Sequence, residues 1–121
     1  MPRRSEFVDY LVESLASLGD VQARAMFGGW GFYLDGRMFA LVAFETFFIK
    51  ADLESRTAFE SRGLEPFRYE AGGKVSVMSY FQPPSAALDD RELLCEWARK
   101  GVAAASRAAT KSPRKPRPKR G

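Results

Sequence analysis

A two-layer α+β domain with an antiparallel sheet is the fold class this sequence predicts, and three observations predict it. The hydrophobic period is helical near the start and toward the end, and cap and stop signals mark a short helix near the middle, with strand-like stretches between. The dipeptides Asp35-Gly36 and Gly72-Gly73 separate apolar runs by connections too short for a parallel crossover. Helices therefore interrupt groups of antiparallel strands, in the order α-β(3–4)-α-β(2)-α.

Residues 5–18 read as the first helix. Phe7, Val8, Leu11, Val12, Leu15 and Leu18 recur at the spacing of one buried stripe, while Glu6, Asp9 and Glu13 supply the wet face. Ser5 is placed to cap its start, and Gly19 to end it in the left-handed conformation. Residues 21–51 are rich in aromatic and β-branched side chains, as strands prefer. Asp35-Gly36 predicts a type I′ hairpin, and Glu45-Thr46 marks the next turn of a meander.

A short second helix is predicted over 53–62, with Asp52 as cap, Gly63 as stop and Pro66 beyond it. Phe67–Ala71 and Lys74–Phe81 flank Gly72-Gly73 as a second hairpin, and Pro83-Pro84 closes it. The last helix carries a capping-box pattern with Asp89 at the cap and Glu92 three residues on; Leu88 and Leu93 take the staple positions. Leu94, Trp97, Ala98, Gly101 and Ala105 form its inward stripe, in a run that reaches Ala109.

Charge divides the chain in two. The 121 residues carry 19 Lys and Arg against 15 Asp and Glu. Lys111, Arg114, Lys115, Arg117, Lys119 and Arg120 lie in residues 109–121, which hold no acid. The body, residues 1–108, is therefore left with a net charge of −2. Residues 1–108 read as the folded domain and 109–121 as a disordered basic, proline-rich tail. One cysteine, Cys95, forms no internal disulfide, and the amphipathic start argues against a secretory signal. No apolar run approaches the roughly 20 residues of a membrane span. The expected place is the cytoplasm, with no membrane partner.

The residues offer little chemistry. There is no histidine, so the usual general base, the usual triads and the commonest metal ligand are missing. Neither a catalytic residue, a metal site nor a cofactor is expected. Cys95 reads as a packed thiol, and Asp89, Asp90 and Glu92 as capping groups. Arg24, Lys50, Arg68 and Lys74 stand among Tyr33, Phe48, Tyr69 and Tyr80. They read as polar positions on a half-solvated sheet, or as a base-stacking face if they share one side. Phe27-Gly28-Gly29-Trp30-Gly31 leads into a strand and lacks the Gly-Lys-Ser/Thr ending of a phosphate loop. It reads as a bulge or tight bend, and with Arg24 as a candidate partner-contacting loop.

Arg24-Ala25-Met26-Phe27-Gly28-Gly29-Trp30-Gly31-Phe32-Tyr33-Leu34-Asp35-Gly36 resembles the signature of the TfoX/Sxy N-terminal domain family. Phe39-Ala40-Leu41-Val42, Phe48-Ile49-Lys50, Gly63-Leu64-Glu65-Pro66-Phe67, Met78-Ser79-Tyr80 and Leu88-Asp89-Asp90 continue the resemblance in order, over about residues 5–106. The resemblance implies a fold similar to type III secretion chaperones: helix, three strands, helix, two strands, helix. It also implies a bacterial regulator of natural competence that acts with the cyclic-AMP receptor protein at promoters. Founding members carry a second, C-terminal helical domain where this chain shows the basic tail. The family supplies no agreed catalytic residues.

The functional expectation is a non-enzymatic regulatory or adaptor domain that assists transcription through a protein partner, such as a transcription factor. The alternative is a nucleic-acid-associated protein whose tail, Lys111 to Arg120, binds phosphate backbone. Monomer and homodimer both stay open. If the tail is the binder, removing residues 109–121 lowers DNA and RNA affinity. On a duplex it also flattens the log–log salt slope by about 0.9 for each phosphate the tail neutralises. Unchanged affinity and slope in a salt titration of the full chain against residues 1–108 would exclude the tail.

Overall fold

A computed structural model gives the fold and describes residues 5–26 and 28–111. The order is α1 (Glu6–Ser14), β1 (Gln22–Met26), β2 (Gly29–Leu34), β3 (Arg37–Ala43), β4 (Thr46–Lys50), α2 (Arg56–Glu60), β5 (Pro66–Ala71), β6 (Lys74–Phe81) and α3 (Arg91–Lys111). All neighbouring strands are antiparallel, in the spatial order β1-β2-β3-β4-β6-β5. The two-layer α+β class expected from the sequence is the one observed. Four strands precede α2, rather than the three implied by the family resemblance. The segment after Val21 pairs along its whole length with β2 and is the added one.

The helices cover one face of the sheet. Val8, Leu11 and Leu15 from the first helical segment, Phe59 from α2, and Leu94, Trp97 and Ala98 from α3 are buried against Phe32, Phe39, Phe47, Ile49 and Phe81. Phe59 stacks on Phe81 with ring centroids 5.3 Å apart and tilts against Trp97 at 5.1 Å. The predicted inward stripe of the last helix faces this core, and α3 runs on to Lys111, into the segment assigned to the tail. Gly101 marks the closest approach. A Cβ there would sit 2.5 Å from the Phe39 carbonyl oxygen and 2.7 Å from Ile49 Cγ2.

The ends of the elements follow local chemistry. Ser5 caps α1, its Oγ accepting from Val8 N–H at 3.1 Å. The helix stops at Leu15, and a 3-10 turn over Ala16–Leu18 finishes the predicted stretch. Gly19 has φ +140° and ψ −157°, an extended glycine conformation rather than the expected left-handed helical one. Asp35 and Gly36 both take positive φ, as do Gly72 and Gly73, so both predicted hairpin turns form. The third turn lies one residue earlier than expected: Phe44 and Glu45 carry the positive φ angles and Thr46 starts β4. The second helix, Arg56–Glu60, is shorter than 53–62; ahead of it Asp52 and Ser55 bond reciprocally, backbone N–H to side chain, at 3.0 Å each, so Asp52 caps the turn that leads into it. Leu64 N–H to Phe59 carbonyl and Gly63 N–H to Glu60 carbonyl close its end in a Schellman arrangement around Gly63.

At the start of α3 the cap is Asp90, not Asp89. Leu93 N–H donates to Asp90 Oδ1 at 3.2 Å, and Asp90 has the extended backbone a cap requires after the 3-10 turn Ser85–Asp89. Glu92 therefore falls outside the third position and completes no capping box. Near the other end of α3, Arg107 grips Asp52 with both arms of its guanidinium, at 2.7 and 2.9 Å, with Glu54 at 3.4 Å. The Arg107 hydrogen bonds hold the Asp52 carboxyl well below the usual carboxylate range, with Ser55 adding to the effect.

The packing of Gly101 and the charge on Asp52 can each be tested. Gly101→Ala gains about 1 kcal/mol in helix propensity but forces α3 off the sheet, and we expect a net loss of about 1–3 kcal/mol in chemical denaturation. Because the folded state depresses the Asp52 pKa, its stabilisation is present above the unfolded value of about 4 and is lost as pH falls through the folded one. Asp52→Asn keeps the cap oxygen but not the charge. Its unfolding temperature should lie below that of the wild type at pH 6, with the gap closing in a melting series carried into the acid range.

Candidate functional site

The hairpin turns at one end of the sheet enclose a surface cavity of about 400 Å³, bordered by Met26, Gly28, Gly29, Trp30, Val42 and Phe44, with Ser5 and Glu45 at its margin. Glycine is favoured at one position here and required at the next. Gly28 takes φ +65° in the turn. Gly29 lies so close to β3 that a Cβ would fall 2.0 Å from the Val42 carbonyl oxygen. The predicted bend thus does what a side chain would prevent: it lets the β2 backbone lie against β3 and leaves a hollow beside Trp30.

Phe44 stands at the rim of that hollow, 81% exposed. Phe44 and Glu45 hold φ of 52° and 57°. Left-handed backbone costs a side-chain-bearing residue roughly 1–2 kcal/mol. A bulky aromatic in that conformation, facing water, gains no burial to offset the strain. The arrangement presents an aromatic ring beside an apolar recess with a carboxylate, Glu45, next to it.

The sequence-predicted loop residues divide among three places. Gly28, Gly29 and Trp30 line the cavity. Arg24 and Gly31 lie toward the helix-free face of the sheet, where Arg24 sits 4.8 Å over the Tyr33 ring and Gly31 lies beneath the Met26 and Met38 sulfurs. Phe27 lies outside the described residues, as do Arg114, Lys115, Arg117, Lys119 and Arg120; Lys111 ends α3.

The basic–aromatic face forms only in part. Leu41, Ala43, Phe48 and Tyr80 make a second small core on the helix-free side, against Met38 and Phe67. Phe67 reaches across β6 to bring its ring 5.0 Å from Phe48. Lys50 covers Tyr80 at 5.5 Å, and burial, with the nearby Tyr33, pushes the Tyr80 phenol above its ordinary pKa. Phe48 and Tyr80 are 6% and 8% exposed, so neither offers a base a ring to stack on. Arg68, Tyr69 and Lys74 stand apart on the β5–β6 hairpin.

Cys95 is buried. Its thiol donates to the Ser14 carbonyl at 3.2 Å and lies 3.2 Å from Ser17 Oγ, neither of which takes a proton from a thiol at neutral pH. Among the described residues no three His, Cys, Asp or Glu side chains gather as metal ligands. No helix among them is long and apolar enough to cross a membrane. The site residue that sequence reasoning missed is Phe44. Its signal was there, a large aromatic directly before a polar turn, but the one-residue misplacement of that turn left it inside the strand.

No curated protein matches the chain. The TfoX N-terminal domain family matches residues 13–105, a span that takes in the cavity turns, the sheet and most of α3. The chain belongs to the TfoX N-terminal domain family.

Proposed function

We propose that this chain is a regulatory adaptor domain that performs no chemical step and acts by docking a protein partner at the turn end of its sheet. Exposed Phe44, strained and placed beside the hollow of Trp30, Gly28 and Gly29, is the observation that carries this reading. Exposed aromatics next to apolar recesses are the usual anchors of protein interfaces, where one residue contributes about 2 kcal/mol or more in typical cases (on the order of thirtyfold in affinity). Membership of the TfoX N-terminal family supports a competence-regulator-like role, and the partner in keeping with it is a transcription factor. The alternative, phosphate binding through the tail, draws its support from the concentration of positive charge after residue 108.

Phe44→Gly separates docking from folding. Glycine adopts φ near 52° without strain, so the variant should be at least as stable as the wild type in thermal melts. Quantitative capture against purified transcription factors, and against host-cell extract with protein identification, should show a partner held by the wild type and weakened about thirtyfold by Phe44→Gly. A partner bound equally well by both proteins moves the docking surface elsewhere; failure of the wild type to hold any partner removes the adaptor reading.

A further inference from the structure

The outermost strand of the sheet is β5, and its hairpin with β6 is fastened to the rest of the sheet only near its base, where Ile49 and Lys50 pair with Phe81 and Tyr80. Four of the eight large exposed apolar side chains among the described residues, Tyr69, Val75, Val77 and Met78, sit on this hairpin. A two-stranded ribbon with both faces in water is marginal by itself, and its free edge is a template for another strand.

The two-residue turn at Gly72-Gly73 fixes which backbone groups are free. Residues flanking such a turn face each other as a hydrogen-bonded pair. Ala71 opposite Lys74, Tyr69 opposite Ser76 and Phe67 opposite Met78 therefore point their N–H and C=O groups inward. Arg68 and Glu70 point theirs outward, to the open edge. The same alternation turns Ser79 toward β4, where its carbonyl does accept from Ala51 N–H at 2.9 Å.

Twofold pairing of this edge with itself must bring outward residues face to face, which allows centres at Arg68, Tyr69 or Glu70. The first sets Arg68 against its own copy, and the third sets Glu70 against its own. Only the register centred on Tyr69 places opposite charges together, Arg68 across from the partner's Glu70, and by symmetry it does so twice. Both positions are exposed, and Arg68 already reaches a carboxylate at 2.9 Å, that of Glu65. Tyr69, 53% exposed, then meets the partner's Tyr69 at the non-hydrogen-bonded centre, where side chains approach most closely. Pro66, which has no N–H, stops the ladder at its far end, where the partner's turn begins.

The other edges fit a second copy less well. The opposite edge strand, β1, holds Arg24 as its only charge, so no self-pairing of it forms an ion pair. The inner edge of β6 is blocked at Ser79 by Ala51, into which a paired copy's turn would run. We propose that the chain forms a symmetric homodimer by joining β5 to β5 of a second copy in the Tyr69-centred register, independently of the docking end at Phe44.

Sedimentation velocity on the full chain, from about 1 to about 500 µM, tests this. The expected result is a reversible dimer weakened by salt. Arg68→Glu and Glu70→Arg, each checked for folding by circular dichroism, should weaken it about tenfold or more by setting like charges opposite each other. An equimolar mixture of the two variants should regain the dimer, because each then meets its complement, and the double swap Arg68→Glu/Glu70→Arg should regain it alone. The proposal is overturned by a wild type that stays monomeric throughout, by a dimer that neither single variant weakens, or by a mixture and double swap that stay as weak as the single variants.

Discussion

The close contact of α3 with the centre of the sheet is the constraint on which the rest of the structure depends. Gly101 lies over β3 and β4 with no room for a side chain between the helix backbone and the Phe39 carbonyl. That depth lets Leu94, Trp97, Ala98 and Ala105 reach the same layer as Phe39, Ile49 and Phe81. With α3 held there, α2 is fixed twice, by Phe59 against Trp97 and by the Arg107 grip on Asp52. The first helical segment is fixed by Val8, Leu11 and Leu15 in the same core, with the Cys95 thiol also bonding the Ser14 carbonyl. All three helices then cover one face, and the other face is left to a small core of its own.

This division of faces explains why, among the described residues, Trp30 borders an apolar hollow at the sheet's end while Phe48 and Tyr80 form no open aromatic platform. On the helix-free side Phe67 meets Phe48 across β6, which helps to bury the Phe48 ring. At the turn end, among the described residues, two tight turns leave a hollow bordered by Trp30 and Val42. The strained pair Phe44 and Glu45 stands at that opening. Strain of this kind persists where the surrounding structure over-determines it, and functional sites are where it concentrates.

Local signals carried the fold in the sequence. Asp35-Gly36 and Gly72-Gly73 fixed two hairpins because only their positive φ angles close such turns, and the spacing from Leu94 to Ala105 placed the last helix correctly against the core. At two turns what failed was a matter of one residue. Asp89 and Asp90 are equally good caps in isolation, and the preceding 3-10 turn decided for Asp90. Phe44 looked like a strand residue because aromatics favour strands, whereas the pairing of Ala43 with Thr46 made it a turn residue. The Asp52–Arg107 pair joins positions 55 apart in the chain, and no local pattern announces it. The candidate site was legible as a glycine-rich bend and illegible as a hollow, since its far wall comes from the next hairpin.

The narrow seam between β4 and β6 gives the sheet two levels of cooperativity. Two residue pairs, reinforced by the Ser79–Ala51 bonds, are the strand pairing that couples the β5–β6 hairpin to β1–β4, which lie side by side along most of their lengths. The outer hairpin is thus a separate opening unit, whose amide protons exchange through local fluctuations while those of β3 and β4 beneath α3 wait for global unfolding.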